Sequence, residues 1–251
     1  MNLRALLIQP PVVVLLAALS AGLLVLSPAA EAATRGSGKP ATEARAVGEF
    51  EAISVAGSFD VTVRQVATET VEVSADDNLL PLIETVVETT SAGRTLVLRF
   101  KRGENVYPRG RVTVAVDVVK LSSLAITGSG DMQVGALRTP ALKLSIAGSG
   151  DARLQGLATD SFEIRIAGSG DVHADGSARQ LRLNIAGSGN AALGDLAADD
   201  VGVSISGSGD AKVNAARALN VSVAGSGDVV YTGSPTTLKT SVAGSGSVVK
   251  R

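Results

Sequence analysis

From Leu121 onward the chain alternates apolar and polar residues, and it does so seven times over. Each alternation leads into a Gly-Ser-Gly. Two residues before its first glycine stand Ile126, Ile146, Ile166, Ile185, Ile205, Val223 and Val242. Four before it stand Leu124, Leu144, Ile164, Leu183, Val203, Val221 and Thr240, and six before it Ser122, Leu142, Phe162, Leu181, Val201, Leu219 and Leu238. The residues between are mostly Ser, Lys, Arg, Asn or Ala. Successive side chains leave a strand on opposite sides, so this period of two marks a strand with one buried face. A second, shorter alternation follows each Gly-Ser-Gly through Val134, Leu154, Leu193 and Val213, and a further glycine often closes it, at Gly135, Gly156, Gly176 and Gly194.

The Gly-Ser-Gly starts at 128, 148, 168, 187, 207, 225 and 244 lie 20, 20, 19, 20, 18 and 19 residues apart. A fixed period of this size marks a solenoid or array. No 3.6-residue pattern accompanies it, and a propeller blade needs about twice the length. The spacing predicts an all-β chain wound as a single-stranded β-helix, with coils of about 20 residues stacked at the interstrand distance of ~4.8 Å. The regular coils begin at about residue 121. Residues 47–120 read as less regular coils of the same kind. Ile53, Val55, Gly57-Ser58-Phe59-Asp60, Val61 and Val63 repeat the pattern, and Val71 and Val73, then Leu96, Leu98 and Phe100, then Val112, Val114 and Val116 alternate after it. The segment 76–88, DDNLLPLIETVVE, reads as a short helix or a loop capping the solenoid. The last coil runs out at Val248-Val249, where Lys250 and Arg251 stand as charged guards of an open strand edge.

The N-terminus follows a different pattern. Arg4 precedes an apolar run from Val12 to Leu26, then small residues, with Ala30-Glu31-Ala32 fitting a cleavage site before Ala33. Residues 1–32 therefore read as a secretory signal peptide. Ser20 and Gly22 interrupt the run, which is short for a membrane span, and no later stretch reaches the ~20 apolar residues a span requires. The mature chain is expected not to span a membrane. Residues 33–46, rich in Gly, Ser, Thr and charge, read as a flexible leader ahead of a solenoid domain at 47–251.

Composition narrows the chemistry. There is no cysteine and one histidine, His173, which removes disulfides, thiolate nucleophiles and most triad or metal-site arrangements. Net charge is −1, so no global field recruits nucleic acid. Aromatic residues are 2% of the chain, too few for ring-stacking platforms. The Gly-Ser-Gly-Asp tetrapeptide is explained by a coil corner, where glycine permits positive φ and close stacking while serine and aspartate bond nearby backbone N–H groups. A sharper alternative is a calcium column of Asp131, Asp151, Asp171, Asp210 and Asp228, with Asn190 in the same series. A phosphate cradle lacks the lysine and following helix it needs. His173 is expected to face outward from the short strand after the bend. Arg94, Arg99, Lys101, Arg102, Arg109 and Arg111 form the densest basic stretch, either a solvated face or a contact for an anionic polysaccharide or lipid headgroup. Tyr231 is expected to pack over the last coils.

Several of these pieces, in order, resemble the auto-transporter adhesin head domain family, also called GIN domains. They are FEAISVAGSFDVTV near the start, ADDNLL at 75–80, GRTLVLRF at 93–100, the Gly-Ser-Gly-Asp series, and VVYTGSP at 229–235. The resemblance covers residues 47–251. It implies a right-handed β-solenoid in the bacterial envelope or secreted from it, and it brings no catalytic residue and no cofactor. An auto-transporter proper carries a C-terminal membrane barrel, and this chain ends within the repeat, so surface display is expected to need another carrier and the periplasm stands beside the cell surface. The expected role is a non-catalytic, adhesin-like module that binds an envelope or surface protein or a glycan. The alternatives are a polysaccharide-active β-helix enzyme and a structural end-to-end oligomer in the periplasm.

Overall fold

The computed structural model describes residues 33–251, and the expected signal peptide lies outside the described residues. The chain is a β-solenoid of parallel coils of about 20 residues. Its strands are β1 (Thr34–Arg35), β2 (Pro40–Arg45), β3 (Ala52–Gly57), β4 (Phe59–Gln65), β5 (Thr70–Asp76), β6 (Ile83–Thr90), β7 (Gly93–Phe100), β8 (Val106–Tyr107), β9 (Val112–Val118), β10 (Ser123–Gly128), β11 (Met132–Val134), β12 (Leu137–Gly148), β13 (Ala152–Gly168), β14 (Val172–Gly187), β15 (Ala191–Gly207), β16 (Ala211–Gly225), β17 (Val229–Thr232), β18 (Thr237–Gly244) and β19 (Val248–Lys250).

Strands β13 to β16 wrap around corners, and their pairing divides each coil into three sides. A first face ends in the Gly-Ser-Gly, a second follows it, and a third, absent from the two-strand unit read in the sequence, lies between. In β13 these are 161–168, 152–154 and 157–159, each paired in parallel with the next coil. The first face keeps perfect step from coil to coil, Ile146 on Ile166 on Ile185 on Ile205 on Val223. Coils of 18 or 19 residues take up their deficit at bulges between the second and third faces, or just after the third, as at His173/Gly176 and Leu193/Ala197. Shortfalls there leave the hydrophobic columns and the corners in register.

The columns predicted from the alternation are buried: Ile126 to Val223, Leu124 to Val221 and Leu142 to Leu219 are each at most 4% exposed. Each such side chain contributes roughly 1.5–3 kcal/mol on leaving water. From the second face Val134, Leu154, Leu193 and Val213 close the core, joined by Tyr231 as expected.

The front of the molecule departs from simple winding. The first coil formed, β3 and β4, sits second in the stack: β7 and β9 lie on one side of it, β10 and β11 on the other. Beyond β7 and β9 the order turns antiparallel, with β6 on β7, β5 on β9 and β2 on β5. Segment 76–88, expected as a helix or loop, forms a turn, one 3-10 turn at Leu80–Leu82, and the start of edge strand β6. Its Val, Thr and Glu residues face outward and inward by turns along β7, so pairing overrides any helical tendency. Phe59, in place of the second corner glycine, packs its ring 4.9 Å from that of Phe100.

The leader at 33–46 is a correction. It is not a flexible tether: β1 pairs with β8, and β2 pairs with β5 along six residues. The cause is a clamp made by Asp76, Asp77 and Asn78. The buried Asp76 carboxylate accepts the N–H of Gly38 and of Arg109, each at 2.9 Å. Asp77 accepts the Ser37 hydroxyl, while Asn78 accepts the Ser37 N–H at 2.8 Å and donates to the Arg35 carbonyl at 2.8 Å. Among the described residues strand pairing therefore begins at Thr34, ahead of the expected boundary at residue 47.

Candidate binding surface

Three features were candidates for chemistry: the corner aspartates, the basic stretch near residue 100, and the outward side chains of the faces.

At every corner the first glycine has a φ near +130°, from +125° at Gly128 to +139° at Gly225. A Cβ added there would run into the carbonyl oxygen of the equivalent glycine one coil below. The serine N–H donates to that same carbonyl, as Ser169 does to Gly148 at 2.9 Å. At some corners the second glycine N–H shares that carbonyl, as Gly189 does with Gly168 at 3.1 Å, and the N–H of the residue after it is taken by the side chain at the same position in the preceding coil. Asp171 N–H donates to Asp151 Oδ1 at 2.9 Å, Asn190 N–H to Asp171 Oδ1 at 2.8 Å, Asp210 N–H to Asn190 Oδ1 at 3.1 Å and Asp228 N–H to Asp210 Oδ1 at 2.8 Å. Asp131 starts this ladder with a longer bond of 3.4 Å to Asp151, and Ser247 ends it at 2.8 Å from Asp228. The residues offered for calcium thus stand in single file, each with one oxygen held by backbone. Among the described residues no three acidic or histidine side chains converge as a metal would require. His173 stands on the second face, in step with Arg153 and Ala192.

The basic stretch is partly neutralised: of its six cations, Arg94, Arg99 and Arg111 are paired. Arg99 lies between Glu84 at 2.7 Å and Glu88 at 2.8 Å, and these hydrogen bonds, Glu84 first, raise its pKa further above the ordinary arginine value. Arg111 pairs with Asp60 at 2.8 Å and Arg94 with Glu49 at 3.6 Å. Antiparallel pairing of β6 with β7 brings Glu84 opposite Arg99, a juxtaposition invisible to a scan along the sequence.

The chain matches the family model described as putative auto-transporter adhesin, head GIN domain, over residues 49–235. It belongs to that family. A putative adhesin from Bacteroides fragilis is 27% identical, with a TM-score of 0.80, and the match covers 87% of this chain and 100% of that one. A protein from Parabacteroides distasonis described as a putative lipid binding protein is 25% identical over 88% of this chain and 100% of that one, with a TM-score of 0.72. A putative adhesin from the same species, 24% identical at a TM-score of 0.69 over 88% of this chain and 100% of that one, shares the fold. The comparison with curated proteins gave no match.

What this GIN-domain chain offers a partner is the outside of its coils. The first face presents short side chains in stacked rows. One row runs Asn184, Ser204, Ser222, Ser241, and the row beside it runs Arg182, Gly202, Asn220, Lys239. They line a shallow groove of about 380 Å³. The third face carries a longer trough of about 610 Å³ floored by Ala158, Ser177 and Ala197. Its rim is neutralised by the pairing of Arg179 with Asp160 at 3.0 Å. The sequence reading named none of these residues. The one signal available was Gly202, a glycine at a position where every other coil has a side chain.

Proposed function

We propose that the protein is an exported, non-catalytic module of the bacterial envelope that binds a partner along the flat outer side of its solenoid, in the manner of an adhesin. The family match and the similarity to a putative adhesin over nearly the whole described body support this reading. The single observation that carries it is the first face: regular rows of short polar side chains on a rigid ladder, with no nucleophile paired to a base. Such a face offers contact area with little entropy to lose. The secretory signal expected at residues 1–32 supports a position outside the cytoplasm.

Protease treatment of intact cells, with a periplasmic protein as control, tests the location. Loss of this protein while the control survives supports surface display; equal protection of both restricts the partner to the periplasm. The enzymatic alternative is tested by incubating the protein with a panel of acidic and neutral polysaccharides. New reducing ends or unsaturated products would overturn the non-catalytic reading.

A further inference from the structure

Gly202 has no structural reason to be glycine. Its φ lies outside the positive region, and a Cβ built there would meet nothing nearer than the Leu181 carbonyl oxygen at 4.0 Å. It stands in mid-strand on the first face, where glycine weakens a sheet and commonly marks the close approach of a ligand. The register puts it directly above Arg182 and below Asn220, with Lys239 one coil further. The missing side chain opens the middle of the 380 Å³ groove.

Two cations flank this notch, and the one acid in the same row, Glu163, stands on the far side of Arg182 from Gly202. Arg182 and Lys239 flank it three rungs apart, about 14 Å by the strand spacing, and no carboxylate lines the groove. The nearest acids on this side are taken: Glu163 pairs with Arg165 at 2.6 Å, and Asp200 is held by Arg217. Among the described residues neither Arg182 nor Lys239 enters a salt bridge. Asn184, Ser204 and Ser222 run alongside, and each both donates and accepts hydrogen bonds.

We infer that this groove binds an acidic polysaccharide, a chain of sugar rings bearing carboxylates. The inference rests on the partner-binding reading above and specifies its ligand. The two cations hold carboxylates at either end, the amide and hydroxyl row bonds the sugar hydroxyls between them, and a ring settles over Gly202. An extended acidic peptide would fit less well, because it docks by pairing to a strand edge, and this groove lies on a sheet face whose backbone is already paired.

The test is calorimetric titration of the purified protein with a galacturonate hexasaccharide, with a neutral glucan hexasaccharide and polyglutamate as controls. The expected result is binding of the galacturonate alone. Arg182→Gln with Lys239→Gln weakens it by about tenfold or more, and Gly202→Thr does the same while leaving the melting temperature equal or higher. A glycine kept for the fold would instead give a lower melting temperature. Unchanged galacturonate affinity in both variants, or equal binding of polyglutamate, overturns the site. If galacturonate does not bind while the intact protein still adheres to surfaces or captures an envelope partner, this inference fails and the partner-binding reading stands. If neither occurs, both fail.

Discussion

Gly168 and Gly202 make opposite predictions at the scale of single residues. Gly168 has φ +133° and is pressed against the Gly148 carbonyl, so Gly168→Ala combines backbone strain with a collision against main chain that has no room to shift. A loss of about 3 kcal/mol or more is expected in urea unfolding. Gly202→Ala meets no such obstacle and removes backbone freedom from the unfolded chain, so it leaves stability unchanged or raises it by about 0.5–1 kcal/mol. Equal losses in the two variants would refute this assignment of roles. The corner ladder gives a parallel contrast. Asp171 Oδ1 accepts both the N–H and the side-chain amide of Asn190, at 2.8 and 3.0 Å. Asp171→Ala leaves those donors without a protein acceptor and is expected to cost about 1 kcal/mol. Asp171→Asn keeps an acceptor and removes a charge beside the like-charged Asp151, so its unfolding midpoint stays at or above the wild-type value. A calcium role predicts the reverse, with Asp171→Asn losing a calcium-dependent rise in melting temperature.

Acid sensitivity also belongs to individual carboxylates. The hydrogen bond from Arg217 holds the exposed Asp200 carboxyl below the usual range, and the Ser37 hydroxyl does the same for Asp77. A depressed folded value means that stabilisation is complete above the unfolded pKa near 3.9 and disappears as pH falls through the folded value. These two groups therefore add no slope between pH 5 and 8. The unfolding midpoint is expected to fall only below about pH 4, and Asp200→Asn flattens part of that fall. A midpoint unchanged by Asp200→Asn at every acid pH would show that the pair contributes nothing.

At the scale of elements, β2 is tied down by one residue outside it. Asp76 accepts two backbone N–H groups from two separate segments, the turn before β2 and the loop before β9. Asp76→Ala leaves both donors without their acceptor in a part-buried place, and a cost of about 1–2 kcal/mol is expected. Its readout is local: protease cleavage and amide exchange should rise at 34–45 and 101–110 while the coils from β12 to β16 stay protected. Uniform loss of protection would mean that this clamp is part of the global core. The same region shows where sequence reading stopped. The columns from Ile126 to Val223 were legible because each coil repeats its own evidence in step, and the corner was legible because four residue types at fixed spacing all satisfy one turn. β2 was not legible, since PATEAR has no alternating apolar face and owes its conformation to Asp76, Asp77 and Asn78 more than thirty residues away. The place of β3 and β4 second in the stack, between β7/β9 and β10/β11, was hidden for the same reason: long-range partner choice leaves no local period. The groove was hidden because its signal was a missing side chain, Gly202, in a chain where other glycines mark corners.

At the scale of the whole body, each coil touches only its neighbours, so stability is close to a sum of coil and interface terms. The two ends are then unequal. At the front, antiparallel β6 and the β5–β2 pair cover β7 and β9, and Leu79 and Leu80 are buried beneath them. At the back, Leu238 and Val242 in β18 are 46% and 41% exposed, although they occupy columns that are buried in every preceding coil from β12 to β16. A side chain that keeps nearly half its surface in water gains correspondingly less from folding. Opening should therefore begin at β18 and β19 and move inward. In a chain of residues 33–251, amide exchange is expected to be fastest at 237–250, intermediate in β16 and β17, and slowest in β13 and β14. Because interfaces add in sequence, Ile166→Ala in the middle should split this gradient, lowering protection on both sides of its coil, whereas Val242→Ala should leave β13 and β14 untouched. A single exchange rate shared by all coils, lowered equally by both substitutions, would mean instead that the solenoid unfolds as one cooperative unit.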